Sequence, residues 1–160
     1  MATQEMKIAF LGAGNIAKAI VSGLVSKKLL CASSIFVYDL DKEKYNNNIM
    51  QQVCCCDTMK DAVESADLVL FALKPSVIAK AIAEIKSTCV GYLNKTYISV
   101  AAAVSSDFII KCFDSSVPVI RTMPNTPLLL GECAVAISKN DYVADKVFRY
   151  ICTCSPIYLK

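Results

Sequence analysis

Gly12-Ala13-Gly14-Asn15-Ile16-Ala17 is the stretch whose residue types and spacing speak most directly of chemistry. It is a G-x-G-x-x-A turn, with an apolar run before it and a helical pattern after it. In that context each small residue has a physical task. Gly12 permits a tight turn, and Gly14 lets backbone approach a diphosphate without a Cβ in the way. Ala17 lets the following helix pack close to the strand. The amides that open the helix then face the phosphate charge. The chain has only five glycines, and Gly12, Gly14 and Gly23 cluster here. A tight turn used only for packing is the plain alternative; the strand before and the helix after favour a nucleotide site.

A second group closes the next apolar run: Tyr38-Asp39-Leu40-Asp41. An acid at this place accepts hydrogen bonds from the ribose hydroxyls of NAD and repels the extra phosphate of NADP. Asp39, directly after the run, is the expected ribose ligand. Asp41 is the expected cap of the next helix. Asp39 leans the site toward NAD, while Lys42 and Lys44 lie near enough to blur the preference. The separation from Gly12 exceeds the usual ~20 residues, so a loop around residues 26–34 must absorb the excess. A third group is Arg121-Thr122-Met123-Pro124-Asn125-Thr126-Pro127. Its two prolines fix φ and push Met123 and Thr126 toward extended backbone. The expectation is a stiff, non-helical loop at a strand end that presents polar groups at little entropic cost on binding.

The elements that must position these groups alternate along the chain. Strands are expected at residues 7–11, 35–38, 53–56, 68–73, 97–100 and 117–121. Helices are expected at 15–26, 42–52, 59–65, 77–85 and 107–113. After the proline-rich loop come a strand at 133–138, a helix at 142–152 and a short strand at 157–159. The β-α-β-α alternation predicts an α/β fold of Rossmann type: a doubly wound, mainly parallel sheet with helices on both faces. A chain of 160 residues suits one such domain. Its 55% hydrophobic and 19% charged content fits strands apolar on both faces.

The same composition excludes other classes. A net charge of +3 is too small to argue for nucleic acid. No apolar stretch is long enough to span a bilayer, and the first six residues lack the pattern of a signal peptide. The nine cysteines are odd in number and scattered through apolar runs; Cys54-Cys55-Cys56 cannot all face one side of a strand. With no histidine and no C-x-x-C pair, no metal site is expected. Reduced, hydrophobe-like cysteines imply a reducing compartment, the cytoplasm by default.

Four segments together resemble one family. They are the glycine-rich turn, Ala72-Leu73-Lys74-Pro75, the run Ser99-Val100-Ala101-Ala102-Ala103-Val104-Ser105, and R-x-M-P-N-T-P followed by Gly131-Glu132. In this order they are similar to pyrroline-5-carboxylate reductase, and the resemblance covers essentially the whole chain. It implies hydride transfer from NADPH or NADH to the imine carbon of 1-pyrroline-5-carboxylate, giving L-proline. It places Leu11, Gly12, Ala13, Gly14, Asn15, Ile16, Asp39, Ala72, Leu73, Lys74, Pro75, Val100, Ala101 and Ala102 on the cofactor. Met123, Pro124, Asn125 and Thr126 would shape the substrate pocket, with no residue assigned as acid or base. Three positions depart from the family pattern: Met59 where an asparagine touches the adenosine ribose, Ala103 where glycine is usual, and Cys133 after Glu132. Ala103 must therefore avoid positive φ or carry strain. Family members continue into a second, helical domain that forms the dimer and supplies much of the substrate pocket, including the groups that hold the substrate carboxylate. Residues 1–160 are read as the cofactor domain alone, weakly active or inactive by itself, with the full-length protein a homo-oligomer. A different Rossmann dehydrogenase, such as a prephenate or coenzyme F420-dependent enzyme, a non-catalytic NAD(P)-binding module, and a plain structural domain stay open as alternatives.

Overall fold

The computed structural model describes residues 6–124 and 135–154. Seven strands form one sheet: β1 (Ile8–Leu11), β2 (Ile35–Tyr38), β3 (Cys54–Cys55), β4 (Leu68–Phe71), β5 (Thr96–Ser99), β6 (Val119–Pro124) and β7 (Val135–Lys139). Their spatial order is β3-β2-β1-β4-β5-β6-β7. The first six are parallel, and only the β6–β7 pairing is antiparallel. The chain reverses its direction of winding between β1 and β4, and such a reversal opens a crevice at the carboxyl ends of the strands.

Five α-helices cover the sheet: α1 (Asn15–Ser26), α2 (Met59–Glu64), α3 (Pro75–Thr88), α4 (Ser106–Phe113) and α5 (Asp145–Cys154). Side chains alternate across each strand, so neighbouring residues feed opposite layers. On one face Leu11, Val69, Phe71, Tyr97 and Val119 pack with α2, α3 and α4 through Val63, Ile82 and Ile109. On the other, Phe10, Val37, Leu70, Ile98 and Ile120 pack with α1 and α5 through Val21, Leu24 and Ile151. This two-sided burial explains why β1 and β4 read as unbroken apolar runs.

The Rossmann-type expectation is met, and α1 and β2 have the expected bounds. The helix expected at 42–52 does not form. Two short 3-10 segments, Lys42–Tyr45 and Met50–Gln52, stand in its place. The asparagine run is the physical cause. The Asn47 side chain donates to the Lys44 carbonyl at 2.7 Å and accepts from the Met50 amide at 3.0 Å. Such local bonds offer the backbone an alternative to the helix. The expected loop from Arg121 is corrected as well: β6 continues through Arg121, Thr122 and Met123 to Pro124, because β7 pairs alongside it. A proline at a strand's last position removes no ladder bond from its interior. The last helix begins later than expected. Asn140 first turns the chain, its side chain accepting from the Val119 amide at 3.1 Å and donating to the Val117 carbonyl at 2.9 Å. Asn125, Thr126 and Pro127, Cys133 and the strand expected at 157–159 lie outside the described residues.

Candidate functional site

The turn after β1 is locked from three sides. Gly12 adopts φ +107°, and a Cβ there would collide with the Ala72 carbonyl. Its amide donates to the Tyr38 carbonyl at 2.7 Å, while the Ala72 amide donates to the Leu11 carbonyl at 2.9 Å. Gly12 is thus demanded by the close approach of the segment after β4. Gly14 differs. It is the N-cap of α1 at an ordinary φ of −75°, no side chain caps the helix there, and the first turn holds no acid. A Cβ on Gly14 would meet nothing within 4 Å. The opening amides of α1 have no intrahelical acceptors, and beside this free space Asn15 and Ile16 are both exposed. That is the space and polarity a diphosphate requires. Ala17 is fully buried against the sheet.

Asp39 sits beside this turn at the end of β2. Its Oδ2 accepts from the Ala13 amide at 2.8 Å and its Oδ1 from the Asp41 amide at 2.9 Å. The Lys44 ammonium lies 3.0 and 3.1 Å from the two oxygens. Partial burial pushes the Asp39 carboxyl up, but the two amides and Lys44 outweigh it and hold it below the usual carboxylate range. Asp41 caps the following segment by accepting from the Glu43 amide, as expected of a cap, although that segment is 3-10 rather than α. Tyr45 fixes Asp39 from below: its hydroxyl accepts from the Asp39 amide at 2.7 Å. Burial pushes that hydroxyl up to about 12, so it stays protonated at neutral pH. The two lysines named from the sequence part company. Lys42 donates to the Cys56 and Asp57 carbonyls at 2.8 and 3.0 Å and lies over the Tyr38 ring, whereas Lys44 faces Asp39.

A cavity of about 560 Å³ joins the two groups. Of the expected cofactor residues, Leu11, Gly12, Gly14, Asp39, Ala72, Leu73 and Lys74 line it. Ala13 is fully buried with its amide committed to Asp39. Asn15, Ile16 and Pro75 stand outside the lining, Pro75 at the first position of α3. Val100 and Ala101 are nearly buried beyond β5, and Ala102 is exposed. Ser99 holds this turn by accepting from the Ala101 amide at 3.3 Å. Ala103 takes φ +61°, so it carries the strain that glycine would relieve. Met123 is exposed at the carboxyl end of β6, next to Pro124. Sequence reasoning gave no site role to Val77, Lys80, Ala81 and Glu84, which line one wall of the cavity. Their signal was available: they follow Pro75 at the i, i+3, i+4, i+7 spacing of a single helix face. Met59, flagged as a departure, also lines the cavity and is almost buried.

Comparison with known proteins agrees with this geometry. The family described as NADP oxidoreductase coenzyme F420-dependent matches residues 7–110. Pyrroline-5-carboxylate reductase of Escherichia coli (strain K12) is 31% identical over 142 residues, covering 87% of this chain and 51% of that protein. The Arabidopsis thaliana pyrroline-5-carboxylate reductase is also 31% identical, over 84% of this chain and 48% of its own length. This chain therefore spans about half the length of the curated relatives it matches. Among solved structures, the pyrroline-5-carboxylate reductase of Coxiella burnetii superimposes with a TM-score of 0.86 at 24% identity, over 98% of this chain and 60% of that one. The Plasmodium falciparum pyrroline carboxylate reductase with NADP bound gives 0.81 at 22% identity, over 97% and 58%. At these identities the structural matches speak for the fold. A glycine-rich turn opening α1, an acid closing β2 and a family match across both place this chain in the NADP oxidoreductase coenzyme F420-dependent family, with pyrroline-5-carboxylate reductases among its relatives.

Proposed function

We propose that this chain is the dinucleotide-binding part of a pyrroline-5-carboxylate reductase. The observation that carries the reading is the uncapped start of α1, with free space over Gly14, opening on a cavity at the β1/β4 reversal. NADPH or NADH fits there. The α1 amides would hold the diphosphate, and Asp39, Leu73 and the cavity-facing side of α3 would hold the adenosine half. Val100, Ala101 and Ala102 would hold the nicotinamide half. Bound reduced cofactor supplies a hydride that converts the imine carbon of 1-pyrroline-5-carboxylate to that of L-proline.

The protein's part is to bind and orient. Met123 and Pro124 close β6, and the substrate pocket is assigned to them together with Asn125 and Thr126, which lie outside the described residues. No acid or base is assigned among them. A protonated imine already carries its proton, so the absence of histidine from the sequence is compatible with the reaction. The whole protein works as a homo-oligomer in the cytoplasm on small-molecule substrates. No helix among the described residues is long and apolar enough to cross a membrane.

The family's description also names coenzyme F420, which favours a second reading as a coenzyme F420-linked oxidoreductase. Its match ends at residue 110, before β6 begins at Val119. Pyrroline-5-carboxylate reductases are among the relatives that cover most of this chain. Calorimetric titration with NADH and NADPH tests the cofactor assignment, and failure of both to bind rejects it. Consumption of NADPH with an F420-type acceptor, and none with 1-pyrroline-5-carboxylate, would shift the assignment to the second reading.

A further inference from the structure

We propose that Lys44 admits a 2′-phosphate to the ribose end of this cavity by cancelling the charge of Asp39, so that the acid closing β2 does not exclude NADPH. The inference rests on the dinucleotide reading above and adds to it the residue that governs cofactor choice.

A bare carboxylate at this position would oppose a phosphate monoester carrying about −1.5 to −2 charges. The carboxylate of Asp39 is not bare. The Ala13 and Asp41 amides occupy one oxygen each, and the Lys44 ammonium bridges both. The Asp39 side chain is only 10% exposed, while that of Lys44 is 40% exposed. The partially exposed cation is therefore the more accessible half of the pair, and it lines the cavity. An ammonium has three donors, so Lys44 can hold Asp39 and still offer a donor to an incoming phosphate. With a free 2′-hydroxyl in place of the phosphate, the same pair still supplies a carboxylate acceptor and an ammonium donor.

The neighbouring cations do not compete for this task. Lys42 is held by the Cys56 and Asp57 carbonyls and by the rings of Tyr38 and Tyr45, at 4.7 and 5.2 Å. Lys74, the N-cap of α3, and Lys80, one turn from Glu84 on that helix, line a different wall of the cavity. The short 3-10 segment keeps Lys44 in place, since Tyr45 binds the Asp39 amide and Asp41 caps the turn. A continuous helix over the same residues would have no reason to keep this geometry.

The test is calorimetric titration of the chain with NADH and NADPH at fixed ionic strength. The variants are Lys44→Met, Lys44→Arg and Asp39→Ser, with Lys111→Met as a remote loss of one positive charge. Circular dichroism checks that each variant is folded. Lys44→Met is expected to weaken NADPH at least tenfold and NADH less than threefold. Lys44→Arg should keep NADPH within threefold of the original, and Asp39→Ser should tighten NADPH relative to NADH. Lys111→Met should leave the ratio of the two affinities unmoved. Equal losses for both cofactors in Lys44→Met, no loss for either, or rejection of NADPH by the unmodified chain would each overturn the role of Lys44. Failure of the unmodified chain to bind either cofactor would instead overturn the dinucleotide reading on which it rests.

Discussion

Alanine placed at Gly12 and at Gly14, one at a time, separates what the fold needs from what the ligand needs. At Gly12 the φ of +107° is a conformation that L side chains rarely adopt, and the new Cβ meets the Ala72 carbonyl. That carbonyl cannot easily yield, because the Ala72 amide is bonded to Leu11 on the central strand. Backbone strain of ~1–3 kcal/mol and overpacking of similar size add to about 2–6 kcal/mol. For a chain of this length that is a fall of roughly 4–24 °C in Tm. At Gly14 the φ of −75° suits any residue, and the Cβ would enter empty space. The change in stability should stay within about 1 kcal/mol, a weaker N-cap being offset by a stiffer unfolded chain. The Cβ does occupy the room where a diphosphate would approach, so NADPH affinity should fall at least tenfold, about 1.4 kcal/mol. Urea denaturation followed by circular dichroism gives the first quantity and calorimetric titration the second. A Gly14→Ala chain that binds NADPH as well as the original, or a Gly12→Ala chain of unchanged stability, refutes the assignment of roles.

Two further predictions concern stability. Ala103→Gly should stabilise the chain by about 0.5–1 kcal/mol, since a left-handed alanine costs ~1–2 kcal/mol and glycine's extra entropy returns part of it; a thermal melt showing no rise would contradict the strain at Ala103. Asp39 also links stability to acid. Its carboxyl is held below its unfolded value, so the stabilisation is complete above about pH 3.9 and is lost as pH falls through the lower folded value. Between about pH 5 and about pH 3 the original chain should therefore lose more stability than Asp39→Asn, as read by denaturation at each pH; parallel losses would remove Asp39 from the account.

The parts of the fold that were legible share one property: a single dominant period. The residues of β1, β2 and β4 are apolar throughout, and α1 repeats Ala17, Ile20, Val21 and Leu24 on one face. The glycine-rich turn and Asp39 were legible because their residue types have narrow physical uses. Illegible features depended on competition between local and distant partners. Asn47 drew the backbone away from a continuous helix over residues 42–52, and β7 converted an expected loop into the end of β6. The division of labour between Lys42 and Lys44 is of the same kind. Two residues apart in sequence, they differ because the Cys56 and Asp57 carbonyls come within reach of one and Asp39 of the other.

The alternation of side chains between two separate layers also limits where this chain can change in length. Phe10 and Leu11 are adjacent but serve opposite sides of the sheet. A residue inserted within β1 would transpose every later side chain of that strand and misfit both layers at once. Growth must instead occur between elements. After α1, Lys28 turns at a φ of +53°, and the Leu29 amide bonds back to the Leu24 carbonyl. A short 3-10 segment, Ala32–Ser34, then delivers the chain to β2. This corner is where the unusual distance between Gly12 and Asp39 is taken up, leaving the two residues free to meet at the same crevice.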